Sequence, residues 1–270
     1  MDLSNENITH IKRKNIEYLQ FKKLLEYPQI VHCITLRKND LNFGNIDTYN
    51  SIQNEVEENY KKICNELNLE YTNIVRPRQT HTNNIKRVDK KENLNEMDIY
   101  PEYLNDVDGV ITDKSELILS TAYADCIPLL LFDPVKNVIA NIHSGWLGTL
   151  KTIGKKAIEK MTEEYNCNSQ NIICCIGPSI RACHFEVEED IKKLFNDKFG
   201  NKFIQEKENG KYLIDTVAIN KAMMKEAGLQ EKNIIDSQIC TVCNKEELYS
   251  YRGDNKGEKR FTSLISRKVV

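Results

Sequence analysis

The chain has 270 residues, with 38 basic and 40 acidic side chains and a formal net charge of −2; hydrophobic residues make up 40% and charged residues 29%. This composition excludes intrinsic disorder, and the balanced charge supplies no global field to draw the protein onto nucleic acid or an anionic membrane. No apolar run approaches the roughly 20 residues of a bilayer span. The first residues, MDLSNENITHIKRKN, lack the apolar core of an export signal, so the expected location is the cytoplasm. The nine cysteines are therefore expected mostly as free thiols or metal ligands.

The chain is read as a single domain over residues 1–270, with residues 1–28 a leader that need not be tightly ordered. Residues 29–37 (QIVHCITLR) read as a strand, followed by a turn at LNFGN. Residues 51–67 place Ile52, Val56, Tyr60, Ile63 and Leu67 at helical spacing. The apolar runs 117–124, 128–132 and 138–143 have strand length, and Asp133-Pro134-Val135-Lys136-Asn137 has the turn chemistry to join the last two as a hairpin. Leu150, Ile153, Ala157, Ile158 and Met161 mark a helix beginning near Trp146 to Thr149. Beyond it, 171–177 is a buried strand, helices are expected at about 187–196 and 216–227, and Gly228 is a helix stop. Strands near 247–252 and 259–266 close the chain. Grouped strands with segregated helices indicate an α+β sandwich.

The five histidines, at 10, 32, 81, 143 and 184, can each be weighed. His81 lies in the polar segment PRQTHTNN after an apolar strand. Cys126 lies at a strand junction in AYADCIPLLL, and His143 at a strand end in NIHSGWLGT. His81, Cys126 and His143 supply three nitrogen and sulfur ligands, the number that leaves a zinc ion an open position. Spacing alone also permits the bland reading of ordinary core or surface residues. Gly145 and Gly148, at the start of the following helix, offer backbone N–H groups to an anion.

The motifs RQTH (78–81), DGVIT (108–112), TAYADCIPLLLFDP (121–134), HSGWLGT (143–149), IGPSIRACHFEV (176–187), CTVCN (240–244) and YSYRGD (249–254) together closely resemble the YlmD/YfiH family of multicopper polyphenol oxidoreductases. The resemblance runs in order from about Thr35 to Ile265. It implies a single-domain, YfiH-like α/β/β/α sandwich with mixed sheets, and a metal, zinc or else copper, held by His81, Cys126 and His143. It further implies phosphorolysis of adenosine, inosine, guanosine or methylthioadenosine, or deamination of adenosine, with the nucleoside and phosphate as partners. Asn42, Gln79, Asp125 and Arg252 fall on family motifs and are expected at the pocket, Asp125 as a proton carrier. Leu147 stands where the family usually has a basic residue, a loss that Arg78 or Lys151 is expected to offset. The family's glycine-rich turn after the first strand is shortened to Lys38-Asn39-Asp40.

Other readings stay open at this point. Cys126 with His143 as base would make a metal-free cysteine hydrolase. A non-catalytic binding protein, a laccase-like polyphenol oxidase and a cell-wall precursor editing factor are the remaining alternatives. Laccase chemistry needs further histidine-rich copper sites, for which the remaining histidines are too few and too scattered. Cys240-x-x-Cys243 has no second CxxC to complete a zinc site, and packing is its simpler reading. Cys183-His184, next to Glu186, has the residue types to bind metal, but the family motif implies a structural turn there; Cys174 and Cys175 read as small core hydrophobes, and Trp146 either as core or as a wall of the pocket.

Overall fold

A computed structural model of the chain describes residues 1–14, 16–44, 49–89 and 101–268. In chain order the strands are Ile8–Lys12 (β1), Glu17–Phe21 (β2), Ile30–Thr35 (β3), Ile74–Val75 (β4), Ile85–Arg87 (β5), Gly109–Thr112 (β6), Ile118–Tyr123 (β7) and Ile127–Asp133 (β8). They continue as Val138–Ser144 (β9), Ile173–Ile176 (β10), Glu186–Val187 (β11), Ile204–Glu206 (β12), Tyr212–Ile214 (β13), Ile234–Asp236 (β14) and Phe261–Arg267 (β15). The helices are Lys22–Leu25 (α1), Tyr49–Leu67 (α2), Trp146–Leu150 (α3), Ile153–Tyr165 (α4), Glu189–Phe199 (α5) and Thr216–Glu226 (α6).

Two six-stranded sheets, ordered β1-β2-β3-β15-β7-β4 and β14-β10-β8-β9-β6-β5, carry the fold. Both are mixed: β4·β7, β5·β6 and β10·β14 pair in parallel and the other pairs are antiparallel. Because strand side chains alternate faces, each sheet is apolar on both sides. Leu19, Ile34, Leu119, Leu130, Phe132, Cys175 and Ile265 pack between the sheets. On the outer face of the first sheet, Val56, Tyr60, Ile63 and Cys64 of α2 cover Cys33, Ile118 and Leu264. On the outer face of the second, Ala157, Ile158 and Met161 of α4 and Val217 and Met224 of α6 cover Leu129, Leu131, Ala140 and Cys174. The result is the expected α/β/β/α sandwich, and Cys174 and Cys175 do face opposite layers. No helix of the described residues is long and apolar enough to cross a membrane.

Three expectations are corrected. Residues 1–28 are not a loose leader: β1 and β2 form an antiparallel hairpin with Ile8 opposite Phe21, and Ile8, Leu19, Phe21 and Leu24 are fully buried. The helix after β9 is two helices, broken where Thr152 adopts a left-handed conformation at φ 62°. Residues 247–252 form turns instead of a strand. Their hydrogen bonds close locally, the Asp254 amide donating to the Ser250 carbonyl at 2.8 Å and the Lys256 amide to that of Tyr251 at 2.7 Å. Gly228, by contrast, ends α6 at φ 96°, as expected of a glycine past a helix terminus.

Candidate metal centre

The chain passes from the first sheet to the second between β7 and β8, through Ala124, Asp125 and Cys126. The reversal puts Asp125 at φ 85°, a conformation aspartate tolerates better than most residues. It leaves Cys126 at the end of the sandwich, beside the last residues of β9. The loop after β4 brings His81 to the same place, itself at φ 63°. The ligand atoms of His81, Cys126 and His143 lie within 4.8 Å of one another, and Cys126 Sγ is 3.8 Å from His81 Nε2. The three are graded in exposure, His81 open, Cys126 half-buried and His143 buried, so the set faces outward on one side.

Asp108, fully buried at the start of β6, organises this group. Its Oδ1 lies 2.8 Å from His143 Nδ1 and accepts the His81 amide at 3.1 Å, while Oδ2 accepts the Thr82 amide at 2.6 Å and the Thr82 hydroxyl at 2.7 Å. A carboxylate on Nδ1 fixes the imidazole tautomer, leaving the Nε2 lone pair for a metal. Burial works against the Asp108 charge, but the hydrogen bonds from His143 and Thr82 bring its pKa down to about 2. Burial likewise opposes ionisation of Cys126, and the His143 and His81 imidazoles overcome it, bringing the thiol down to about 6. In metal-free protein the Cys126 thiolate and Asp108 in turn raise His143 to about 10 against its own burial, and a metal would take the place of the Nε2 proton.

The donor set suits a metal. Two imidazoles and a thiolate are the ligand types of zinc or copper, and three ligands leave a position free. Gly145 adds steric support for this reading. A Cβ there would stand 2.7 Å from His81 Cδ2 and 3.2 Å from Cys126 Sγ, so only glycine leaves the donors in place.

The group opens into a cavity of about 420 Å³ lined in part by Arg76, Gln79, Tyr123, Trp146, Arg252 and Arg260, a size suited to a small ligand. Gln79 lines it, but both ends of its amide are bound to Ala122, Nε2 to the carbonyl and Oε1 to the amide, each at 2.9 Å. Arg252 also lines it, its ring-side contact being Phe185, and donates to the Glu186 carbonyl at 3.0 Å. Asp125 borders the cavity but is occupied: it accepts from Thr241 Oγ1 and Ser250 Oγ at 2.6 Å each and from the Arg252 amide at 2.7 Å. This geometry is that of a positioning residue. Asn42 is buried outside the lining, and its Oδ1 holds the amides of Gly44 and Arg260 at 3.0 Å.

Other expected pocket residues stand apart. Arg78 is exposed and outside the lining, and Gly148 lies within α3, where a Cβ would stand 3.3 Å from Ile153 and from the Thr82 carbonyl. The Lys151 ammonium reaches the His81 carbonyl at 3.4 Å. Sequence reasoning did not assign Asp108, Arg76 or Arg260. DGVIT was visible as a motif, but the partner of Asp108 is 35 residues away, and nothing local marks Arg76 or Arg260 as cavity residues.

The chain is thus an α/β/β/α sandwich with two histidines and a cysteine, a candidate metal-binding set, converging at one end beside a cavity. The model of the multi-copper polyphenol oxidoreductase laccase family matches residues 32–268, and the chain belongs to that family. It is 33% identical over 233 residues to a purine nucleoside phosphorylase of Clostridium acetobutylicum, covering 86% of this chain and 89% of that one. It is 28% identical to the purine nucleoside phosphorylase YlmD of Bacillus subtilis, covering 79% and 78%, and 30% identical to the adenosine deaminase RL5 of an unknown prokaryotic organism, covering 75% and 78%. The crystal structure of the Bacillus licheniformis protein YfiH shares the fold, with a TM-score of 0.84 at 24% identity over 96% of this chain and 99% of that one.

Proposed function

We propose that the protein is a zinc-dependent purine nucleoside enzyme that splits adenosine, inosine, guanosine or methylthioadenosine with inorganic phosphate, and that also deaminates adenosine. The observation that carries this reading is the convergence of the His81, Cys126 and His143 donor atoms at the edge of a cavity bordered by Arg76, Arg252 and Arg260. The names of the relatives supply the substrate class. Zinc at the three donors, when bound, supplies Lewis acidity and one open position.

The residues of the chain do the remaining work. Asp108 holds His143 and the His81 loop in a fixed geometry, so little reorganisation is left for the reaction. Arg252 and Arg260 bring positive charge to a cavity where, among the described lining residues, the one carboxylate, Asp125, is already hydrogen-bonded, which favours an anionic co-substrate such as phosphate. Trp146, Phe185 and Tyr251 on the lining offer apolar and aromatic surface to a purine ring. In phosphorolysis a phosphate oxygen bonds to the anomeric carbon, the carbon–nitrogen bond breaks, and its electron pair leaves with the base, which takes a proton. The anion-binding role expected of Gly145 and Gly148 passes here to the arginines. Incubation of the protein with adenosine, with and without phosphate, tests the reading by chromatography. Phosphate-dependent adenine supports it, and an absence of both adenine and inosine contradicts it.

One observation favours a second reading. The low thiol pKa of Cys126 beside His143 is also that of a cysteine nucleophile. The two readings separate on the metal, because a thiol hydrolase keeps its turnover when a chelator is present and a metal enzyme loses it. The other histidines do not extend the site toward a multi-copper centre. His10 pairs with Glu17 at 3.1 Å, His32 accepts the Phe21 amide at 2.8 Å, and His184 joins a separate cluster.

A further inference from the structure

Cys183, His184, Cys240 and Cys243 form a second convergence of soft donors, with all four ligand atoms within 4.8 Å of one another. Cys183 Sγ lies 3.6 Å from Cys240 Sγ and 3.9 Å from Cys243 Sγ. His184 Nδ1 lies 3.1, 3.6 and 3.5 Å from the sulfurs of Cys183, Cys240 and Cys243 respectively. A tetrahedral zinc ion with ordinary bond lengths sets sulfur–sulfur edges of about 3.8 Å and sulfur–nitrogen edges of about 3.6 Å. Four of the five distances lie within about 0.2 Å of those edges, the His184–Cys183 distance of 3.1 Å being shorter, and none of these cysteines is in a disulfide.

Packing does not explain the cluster, since Cys183, His184 and Cys243 are exposed and only Cys240 is buried. An exposed pair of thiols would otherwise be an oxidation liability. The backbone brings the two halves together: Ser179 and Cys240 form a β-bridge, and the Asn244 amide and side chain both turn back onto the Cys240 carbonyl at 3.1 and 2.8 Å.

We propose that these four residues bind a second, structural zinc ion, separate from the His81–Cys126–His143 group. Three thiolates and an imidazole close a four-coordinate shell and leave no open position, which is the mark of a structural site. The ion cross-links the segments on either side of Arg252. Phe185 and Glu186, which contact the Arg252 side chain, follow directly on His184, and Arg252 itself lies beyond Cys243 on the loop tied to Asp125. The second zinc therefore fixes a wall of the cavity from outside it, and the inference does not depend on which reaction the cavity serves.

The test is metal content in full-length protein whose first site has been removed by Cys126→Ala. About one zinc per chain is expected to remain, to disappear on adding Cys243→Ser, and on exchange for cobalt to give the visible bands of a tetrahedral thiolate complex. A Cys126→Ala protein that purifies without metal overturns the proposal. Should the double variant fail to fold, wild-type protein answers the same question by alkylation and mass spectrometry. Cys183 and Cys243 are expected to resist iodoacetamide until a chelator is added. Immediate labelling of both, or a disulfide among the three cysteines of protein purified under reduction, overturns it.

Discussion

His143 and Asp108 are joined twice: the His143 amide donates to the Asp108 carbonyl at 2.7 Å, and the ring Nδ1 meets the Asp108 carboxylate at 2.8 Å. The first bond extends the pairing of β6 and β9, and the second orients a proposed metal ligand. One residue thus links the sheet register to the chemistry at its end. Asp108→Asn keeps the shape but lets an amide face Nδ1, allowing the wrong tautomer. Zinc affinity, measured by competition with a chelator of known strength, is expected to fall about 10- to 100-fold; unchanged affinity would remove Asp108 from the centre.

Gly145→Ala forces a methyl group between His81 and Cys126. Overpacking of this kind costs about 1–3 kcal/mol. Falling on the donors, it is expected to weaken metal binding by roughly ten- to a hundred-fold, with the circular dichroism spectrum retained. Full metal content in this variant would show that the donors do not converge on one ion.

The thiol of Cys126 gives a pH prediction for metal-stripped protein. Its pKa is lowered, so the thiolate persists above about pH 6 and is lost as pH falls through that value. The rate of Cys126 alkylation should therefore titrate near pH 6, below the ordinary thiol value of about 8.5. His143→Gln removes an imidazolium while burial remains, and should move the midpoint upward. A midpoint near 8.5 in wild-type protein would contradict the electrostatics of the pair.

Asp125 separates positioning from proton transfer. Asp125→Ala strands the buried Thr241 and Ser250 hydroxyls, at about 1–3 kcal/mol for each buried donor left unpaired, and releases the more exposed Arg252 amide. Its expected signature is a lowered melting temperature and a raised KM. Asp125→Asn, which keeps one acceptor oxygen, should recover part of both, with the pH profile of kcat unmoved. Loss of a limb of that profile, with KM intact, would make Asp125 a proton carrier instead.

The sequence was most legible where order along the chain and order in space coincide. The run from Ile118 to Tyr165 reads as strand, strand, turn, strand and helix, and that is how it folds apart from the break at Thr152. Its motifs also marked Cys126 and His143, and RQTH marked His81. Residues whose role depends on distant partners were not legible. Arg260 reaches the cavity because its amide is held by Asn42, 218 residues away, and Cys183 meets Cys240 across 57 residues. The strand expected near 247–252 does not form either, because the carboxylates of Asp125 and Asp254 satisfy the Arg252 and Ser250 amides that a strand would have paired.

The most direct test of the account compares wild-type protein with Cys126→Ser for zinc by elemental analysis and for phosphate-dependent release of adenine from adenosine. The variant is expected to lose about one zinc per chain together with its turnover, and chelator-stripped wild type to be inactive until zinc is returned. Undiminished turnover in stripped protein, or a Cys126→Ser protein with its full zinc and full activity, would contradict it.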